Sequence, residues 1–201
     1  AETYRLDRRT TATALLGGSI YAATDSGLLS APTTANLMDV GNWKRVSLNS
    51  LDFDDQKIVG LGAFRDRLCF VASGGGLFYR DTDSSIKTLR KQTNLRGLTV
   101  VGNRLVAYTA EAMYVFASLE GTGEAVSTGT VNGVTALTED GRFWVASGRN
   151  GLIGLRRRAE GQYEKAISVL KIEGPKRNED DFMIVDRGRL WVVGGSYTNT
   201  A

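Results

Sequence analysis

Residues 142–152 read Arg142-Phe143-Trp144-Val145-Ala146-Ser147-Gly148-Arg149-Asn150-Gly151-Leu152, and similar phrases stand four more times in the chain. They are Gly18-Ser19-Ile20-Tyr21-Ala22-Ala23-Thr24-Asp25-Ser26-Gly27-Leu28, Arg67-Leu68-Cys69-Phe70-Val71-Ala72-Ser73-Gly74-Gly75-Gly76-Leu77, Arg104-Leu105-Val106-Ala107-Tyr108-Thr109 and Arg189-Leu190-Trp191-Val192-Val193-Gly194-Gly195. With Ile20, Leu68, Leu105, Phe143 and Leu190 as equivalents, the spacings are 48, 37, 38 and 47 residues, a mean of 42.5. That is the length of one four-stranded propeller blade.

Each unit also repeats in its parts. An apolar run precedes the phrase: Thr13-Ala14-Leu15-Leu16, Ile58-Val59-Gly60-Leu61, Leu98-Thr99-Val100-Val101, Val134-Thr135-Ala136-Leu137 and Phe182-Met183-Ile184-Val185. A tight turn joins run and phrase: Gly17-Gly18, Arg65-Asp66, Gly102-Asn103, Asp140-Gly141 or Arg187-Gly188. Such pairs, mostly Gly, Asn and Asp, tolerate the positive φ of two-residue hairpins. Each unit therefore opens with an inner strand and its hairpin partner. A third strand follows at Gly27, Gly76 and Gly151, and at Ala112 to Phe116 in the third unit. A more polar fourth strand, such as Asn42 to Val46 or Gln162 to Ile167, completes the unit.

Near-continuous apolar runs inside and charged strands outside fit a radial sheet whose inner strands are covered on both faces. Glycine suits the axis, where inner strands crowd. No segment keeps apolar residues at i, i+3, i+4 and i+7 for more than about ten residues, so little or no helix is expected. The fold class is thus all-β, a β-propeller of four-stranded antiparallel blades, with about five blades in a single domain over residues 1–201. Thr3-Tyr4-Arg5-Leu6-Asp7 resembles a fourth strand preceding the first inner strand. It either completes the last blade and closes a ring of five, or the chain is part of a larger propeller.

Composition removes several chemistries. The 201 residues contain no His, one Cys and two Pro, with 25 Lys and Arg against 22 Asp and Glu for a formal charge of +3. Without imidazole there is no Ser-His-Asp or Cys-His relay and no His-ligated zinc. A single Cys69 forms no internal disulfide. The longest stretch free of charge, Thr10 to Thr24, has 15 residues, short of the ~20 a membrane-spanning helix needs. The small net charge gives little drive toward nucleic acid.

The phrase, read as a turn, Leu-aromatic-Val-Ala-Thr/Ser, polar or Gly residues and then Gly-Leu, resembles the two-component-regulator-type propeller repeat of Bacteroidetes surface and periplasmic proteins. Phe143 to Ser147 and Leu190 to Gly194 match best, and Leu105 to Thr109 lacks the Gly-Leu. That family includes glycan-sensing ectodomains of hybrid two-component regulators and PorZ-type components of the type IX secretion system. Tyr21, Phe70 and Val106 replace the Trp of the regular sensor repeat, which inclines the resemblance toward the PorZ type. It implies a non-catalytic interaction module outside the cytoplasm, at the cell surface or in the periplasm, with no cofactor. Its implied partners are surface proteins such as a secretion sortase, or anionic polysaccharide.

Candidate chemistry is thin. Carboxylates cluster at Asp52, Asp54 and Asp55, at Asp81 and Asp83, and at Glu179, Asp180 and Asp181. Propeller glycosidases use two carboxylates across a funnel, yet all three clusters fall where the repeat places loops or strand ends, so solvated turn residues are expected. Asp81-Thr82-Asp83 lacks the Gly and the distal Glu of a calcium loop. Ser73 to Gly76 joins strand to strand and precedes no helix, so it reads as a wide turn. Cys69, between Leu68 and Phe70, reads as a small buried apolar group. Trp144 and Trp191, at equivalent positions, are expected to pack between adjacent blades, and Arg156-Arg157-Arg158 to form a charged outer edge. Propellers bind ligands where loops leading into inner strands meet the turns between second and third strands. On that face we expect Asp25, Arg96, Arg149 and Asn150 to lie together as ligand-binding residues.

Overall fold

Each tight turn between apolar runs folds the chain back on itself, so the secondary structure is a succession of antiparallel hairpins. The computed structural model describes residues 9–48, 56–137, 142–147, 151–158, 162–170 and 180–194. Among these, β1 (Thr10–Leu16), β2 (Ser19–Thr24), β3 (Gly27–Pro32) and β4 (Lys44–Arg45) form a first sheet in chain order. The second holds β5 (Ile58–Phe64), β6 (Arg67–Ala72), β7 (Gly76–Arg80) and β8 (Ile86–Arg90). The third holds β9 (Gly97–Val101), β10 (Arg104–Tyr108), β11 (Ala112–Phe116) and β12 (Glu124–Ser127). The fourth holds β13 (Gly133–Leu137), β14 (Phe143–Ala146), β15 (Leu152–Arg157) and β16 (Tyr163–Leu170), and β17 (Asp180–Asp186) pairs with β18 (Arg189–Gly194).

Four of the repeat equivalents share one register position, and Phe143 stands one residue farther along its hairpin. Ile20 faces Leu15, Leu68 faces Ala63, Leu105 faces Val100, Phe143 faces Leu137 and Leu190 faces Val185. Four sheets of four antiparallel strands, each joined to the next in sequence, are the blades of a β-propeller. The fourth strand of the first sheet is shorter than expected. Only Lys44 and Arg45 pair with β3, and Val40–Asn42 is a 3-10 turn capped by the Asp39 side chain. Thr3 to Asp7 and the Asp140-Gly141 turn lie outside the described residues.

The chain divides into two compact units, residues 1–109 with 114–124 and residues 110–113 with 125–201. In the first, β6 shows why its sequence is apolar without alternation. Leu68, Phe70 and Ala72 join a core with Ala23, Leu28, Ile58 and Leu61, while Cys69 and Val71 join another with Leu98, Leu105, Tyr114 and Phe116. Successive residues point to opposite faces, and both faces are dry. Full burial of side chains such as Phe70 and Leu77 contributes roughly 1.5–3 kcal/mol each. Farther out, the Arg90 guanidinium lies 3.6 Å from the Tyr114 ring centroid and donates to Thr122 O at 3.0 Å, fastening the second sheet to the third.

Inner strands approach closely. A Cβ at Gly60 of β5 would lie 2.6 Å from Leu98 N of β9, and one at Gly62 would lie 2.9 Å from the Leu98 side chain. Thr11 Oγ1 of β1 donates to Ile58 O of β5 at 2.5 Å. The phrase has its own reason at the turn. Thr24 Oγ1, fully buried, donates to Gly27 O at 2.8 Å and accepts Ser26 N–H at 3.2 Å, closing the β2–β3 turn. The Gly of Gly-Leu then carries positive φ, 129° at Gly76, where a Cβ would also meet Arg90 O at 2.4 Å.

In the second unit, Phe143, Val145, Leu152 and Leu155 are buried, and the Phe143 and Tyr163 rings sit 5.2 Å apart. The expected packing of Trp191 does not form. It is 54% exposed, as is its cross-strand partner Ile184 at 50%, because β17–β18 is a two-stranded sheet among the described residues. Trp144 is half-buried.

Gly60→Ala is expected to cost about 1–3 kcal/mol in denaturant unfolding, since its methyl meets backbone that cannot yield. Gly133→Ala meets nothing within 4 Å and should stay within about 0.5 kcal/mol.

Candidate functional site

The ends of the sheets where inner strands begin are built alike. The residue before the inner strand bonds to the last residue of the second strand or to the turn that follows it. Asp25 N–H donates to Arg9 O at 3.3 Å, Ser73 N–H to Lys57 O at 2.9 Å, Arg96 N–H to Tyr108 O at 2.8 Å and Asn132 N–H to Ala146 O at 2.8 Å. The backbone is thereby fixed while the side chains point outward. Asp25, Lys57, Asn94 and Arg96 are all exposed.

Of the four residues expected to form a ligand-binding group, Asp25 lies in the β2–β3 turn and Arg96 directly precedes β9. Both emerge at inner-strand starts of the first unit, and among the described residues no hydrogen bond or ion pair joins them. Arg149 and Asn150 lie outside the described residues.

Of the candidate carboxylates, Asp81 and Asp83 serve a turn. Asp81 Oδ1 accepts Thr82 N–H and Arg67 Nε, each at 2.8 Å, and these bonds hold its carboxyl below the usual range. Asp83 Oδ1 accepts the Ser85 hydroxyl at 2.6 Å and Ser85 N–H at 2.9 Å, with the same effect. Together they shape the β7–β8 turn, in which Ser84 has φ 67°. Asp52, Asp54, Asp55 and Glu179 lie outside the described residues, and Asp180 and Asp181 stand at the starting end of β17. Among the described residues, no three His, Cys, Asp or Glu side chains are grouped to hold a metal ion.

The basic run folds as a paired edge. Arg156 on β15 donates to Glu164 Oε1 at 2.9 Å and Arg158, just past its end, to Glu164 Oε2, both across to β16. Arg157 lies 6.0 Å from the Tyr163 ring centroid. Arg158 first and Arg156 second draw the Glu164 carboxyl below its ordinary value. Cys69 is fully buried and its thiol is pushed up to about 12 by desolvation.

One surface feature escaped the sequence reading. Leu37, Met38 and Val40 stand exposed on the loop between β3 and β4. The signal was Asn36-x-x-Asp39-x-Gly41, a spacing whose side chains bond their own loop.

Two measurements check these assignments. Glu164→Gln is expected to lower stability at neutral pH. Because the folded carboxyl lies below its unfolded value, the difference from wild type begins to shrink near pH 4.3, about the unfolded pKa, and vanishes below the folded one. Cys69 is expected to resist thiol reagents in the native chain at pH 8 and to react fully in denaturant.

No family profile and no curated protein matches the chain. Solved structures do. PorZ, described as an essential bacterial surface component of the type-IX secretion system of Porphyromonas gingivalis, matches with a TM-score of 0.66 and 23% identity over 98% of this chain and 26% of its own. The extracellular domain of a protein designated the hybrid two component system BT3049, from B. thetaiotaomicron, matches at 0.65 and 14% identity over 91% of this chain and 25% of its own. YCF48 bound to D1 peptide matches at 0.53 and 15% over 92% and 63%. The chain thus spans about a quarter of the length of the first two. At these identities the likeness is one of fold, and the fold is that of a β-propeller.

Proposed function

We propose that the chain is a non-catalytic interaction module that works outside the cytoplasm, as part of a PorZ-like surface component of type IX protein secretion. The observation that carries this reading is the likeness to PorZ across 98% of the chain. The sheet ends add support. Their backbone is fixed by repeated hydrogen bonds while Asp25, Lys57 and Arg96 project, a polar surface suited to a macromolecular partner. The described carboxylates Asp81, Asp83 and Glu164 are engaged with neighbouring donors, which favours binding over acid–base chemistry. Among the described residues no helix is long and apolar enough to cross a membrane.

The likeness to the BT3049 extracellular domain favours a second reading, a glycan-sensing ectodomain. An in-frame deletion of these 201 residues in the host separates the two. The first reading expects type IX cargo at the cell surface to fall severalfold while general export continues. Unchanged cargo, with a lost transcriptional response to polysaccharide, would refute it in favour of the sensor. Hydrolysis of a polysaccharide panel by the purified chain would overturn both.

A further inference from the structure

The β3–β4 loop is exposed continuously from Asn36 to Gly41 and presents Leu37, Met38 and Val40 at 38%, 56% and 50% exposure. Apolar side chains scattered singly over a surface are ordinary, but three within four residues mark a contact. The loop is also firmly built. Met38 N–H donates to Asn36 Oδ1 at 3.1 Å, Gly41 N–H to Asp39 Oδ1 at 2.9 Å, Asn42 Nδ2 to Asn36 O at 2.9 Å and the Trp43 indole to Leu37 O at 3.0 Å. The N–H groups of Asp39, Asn42 and Trp43 donate to the carbonyls of Asn36, Asp39 and Val40, each at 3.1 Å. The N–H groups of Met38, Asp39, Gly41, Asn42 and Trp43 are therefore paired within the loop and can leave water already bonded, as an apolar environment requires of the donors it covers.

We propose that this loop is a lipid-surface contact, with Leu37, Met38 and Val40 entering the boundary between headgroups and acyl chains. Lys44 and Arg45, exposed on the adjoining β4, meet the phosphates. Two considerations favour a bilayer over a protein groove. Three side chains on one loop fall far short of the roughly 800 Å² per partner of a stable protein interface, whereas a bilayer rewards each apolar side chain separately. The basic pair beside the apolar tip supplies attraction to anionic headgroups. Asp39, at the centre of the tip, spends one oxygen on Gly41 N–H, and its charge opposes insertion.

That opposition gives the test two directions. The 201-residue chain is sedimented with vesicles of phosphatidylglycerol and phosphatidylcholine, and with phosphatidylcholine alone. Binding is expected on the anionic vesicles. It should fall about tenfold when Leu37→Ser, Met38→Ser and Val40→Ser are combined. Asp39→Asn keeps the oxygen that caps the turn and removes the charge, so it should raise binding severalfold. The thermal midpoint of each variant should match wild type, because the altered groups face solvent. No vesicle binding by wild type, or binding unchanged in the triple variant, overturns the proposal. Weaker binding by Asp39→Asn also overturns it, and points instead to a protein groove that presents a cation to Asp39.

Discussion

The closeness of successive inner strands is the constraint from which the other features follow. β5 and β9 run so near each other that Gly60 has no room for a methyl group against Leu98 N. Strands at that distance bring whole sheets face to face, so β6 must supply two cores at once, Leu68 and Phe70 to one and Cys69 and Val71 to the other. Outer strands are free of that demand. They become short and charged, as at Lys44–Arg45, or carry a cross-strand bracket such as Arg156, Arg158 and Glu164.

The inner half of each sheet was legible for the same reason. In β5 and β6 burial on both faces favours apolar residues at nearly every position, which leaves runs that a period of about 40 residues makes visible, whereas β1 repeats the run although its residues are half-buried or exposed. The tight turns mark where each run reverses, and Ile20, Leu68, Leu105 and Leu190 occupy the same place in their hairpins, with Phe143 one residue farther along. What lies opposite a repeat position was less legible. Trp144 and Trp191 share a phrase but not an environment, since a repeat fixes the face on which a side chain stands and not the neighbour that covers it. Trp43 reads as strand, yet the Asn36 and Asp39 side chains accept the Met38 and Gly41 N–H groups, bend its approach into a 3-10 turn and leave two residues to pair.

The candidate site was legible only as a region. Asp25 and Arg96 belong to loops whose backbone positions repeat but whose side chains follow no spacing rule, and nothing in their identity says whether they act together. Isolated carboxylates are ambiguous in the same way. Asp81 and Asp83 could be read as paired acids until the bonds from Thr82, Arg67 and Ser85 show them shaping a turn. Leu37, Met38 and Val40 were concealed by their own chemistry, because such residues ordinarily signal core.

A domain that stands on packing alone, with its one thiol sealed between two sheets, folds without an oxidation step. Within these 201 residues neither glutathione nor a disulfide-forming catalyst has anything to act upon in the folded state. The fold they adopt is therefore indifferent to whether its surroundings are reducing or oxidising.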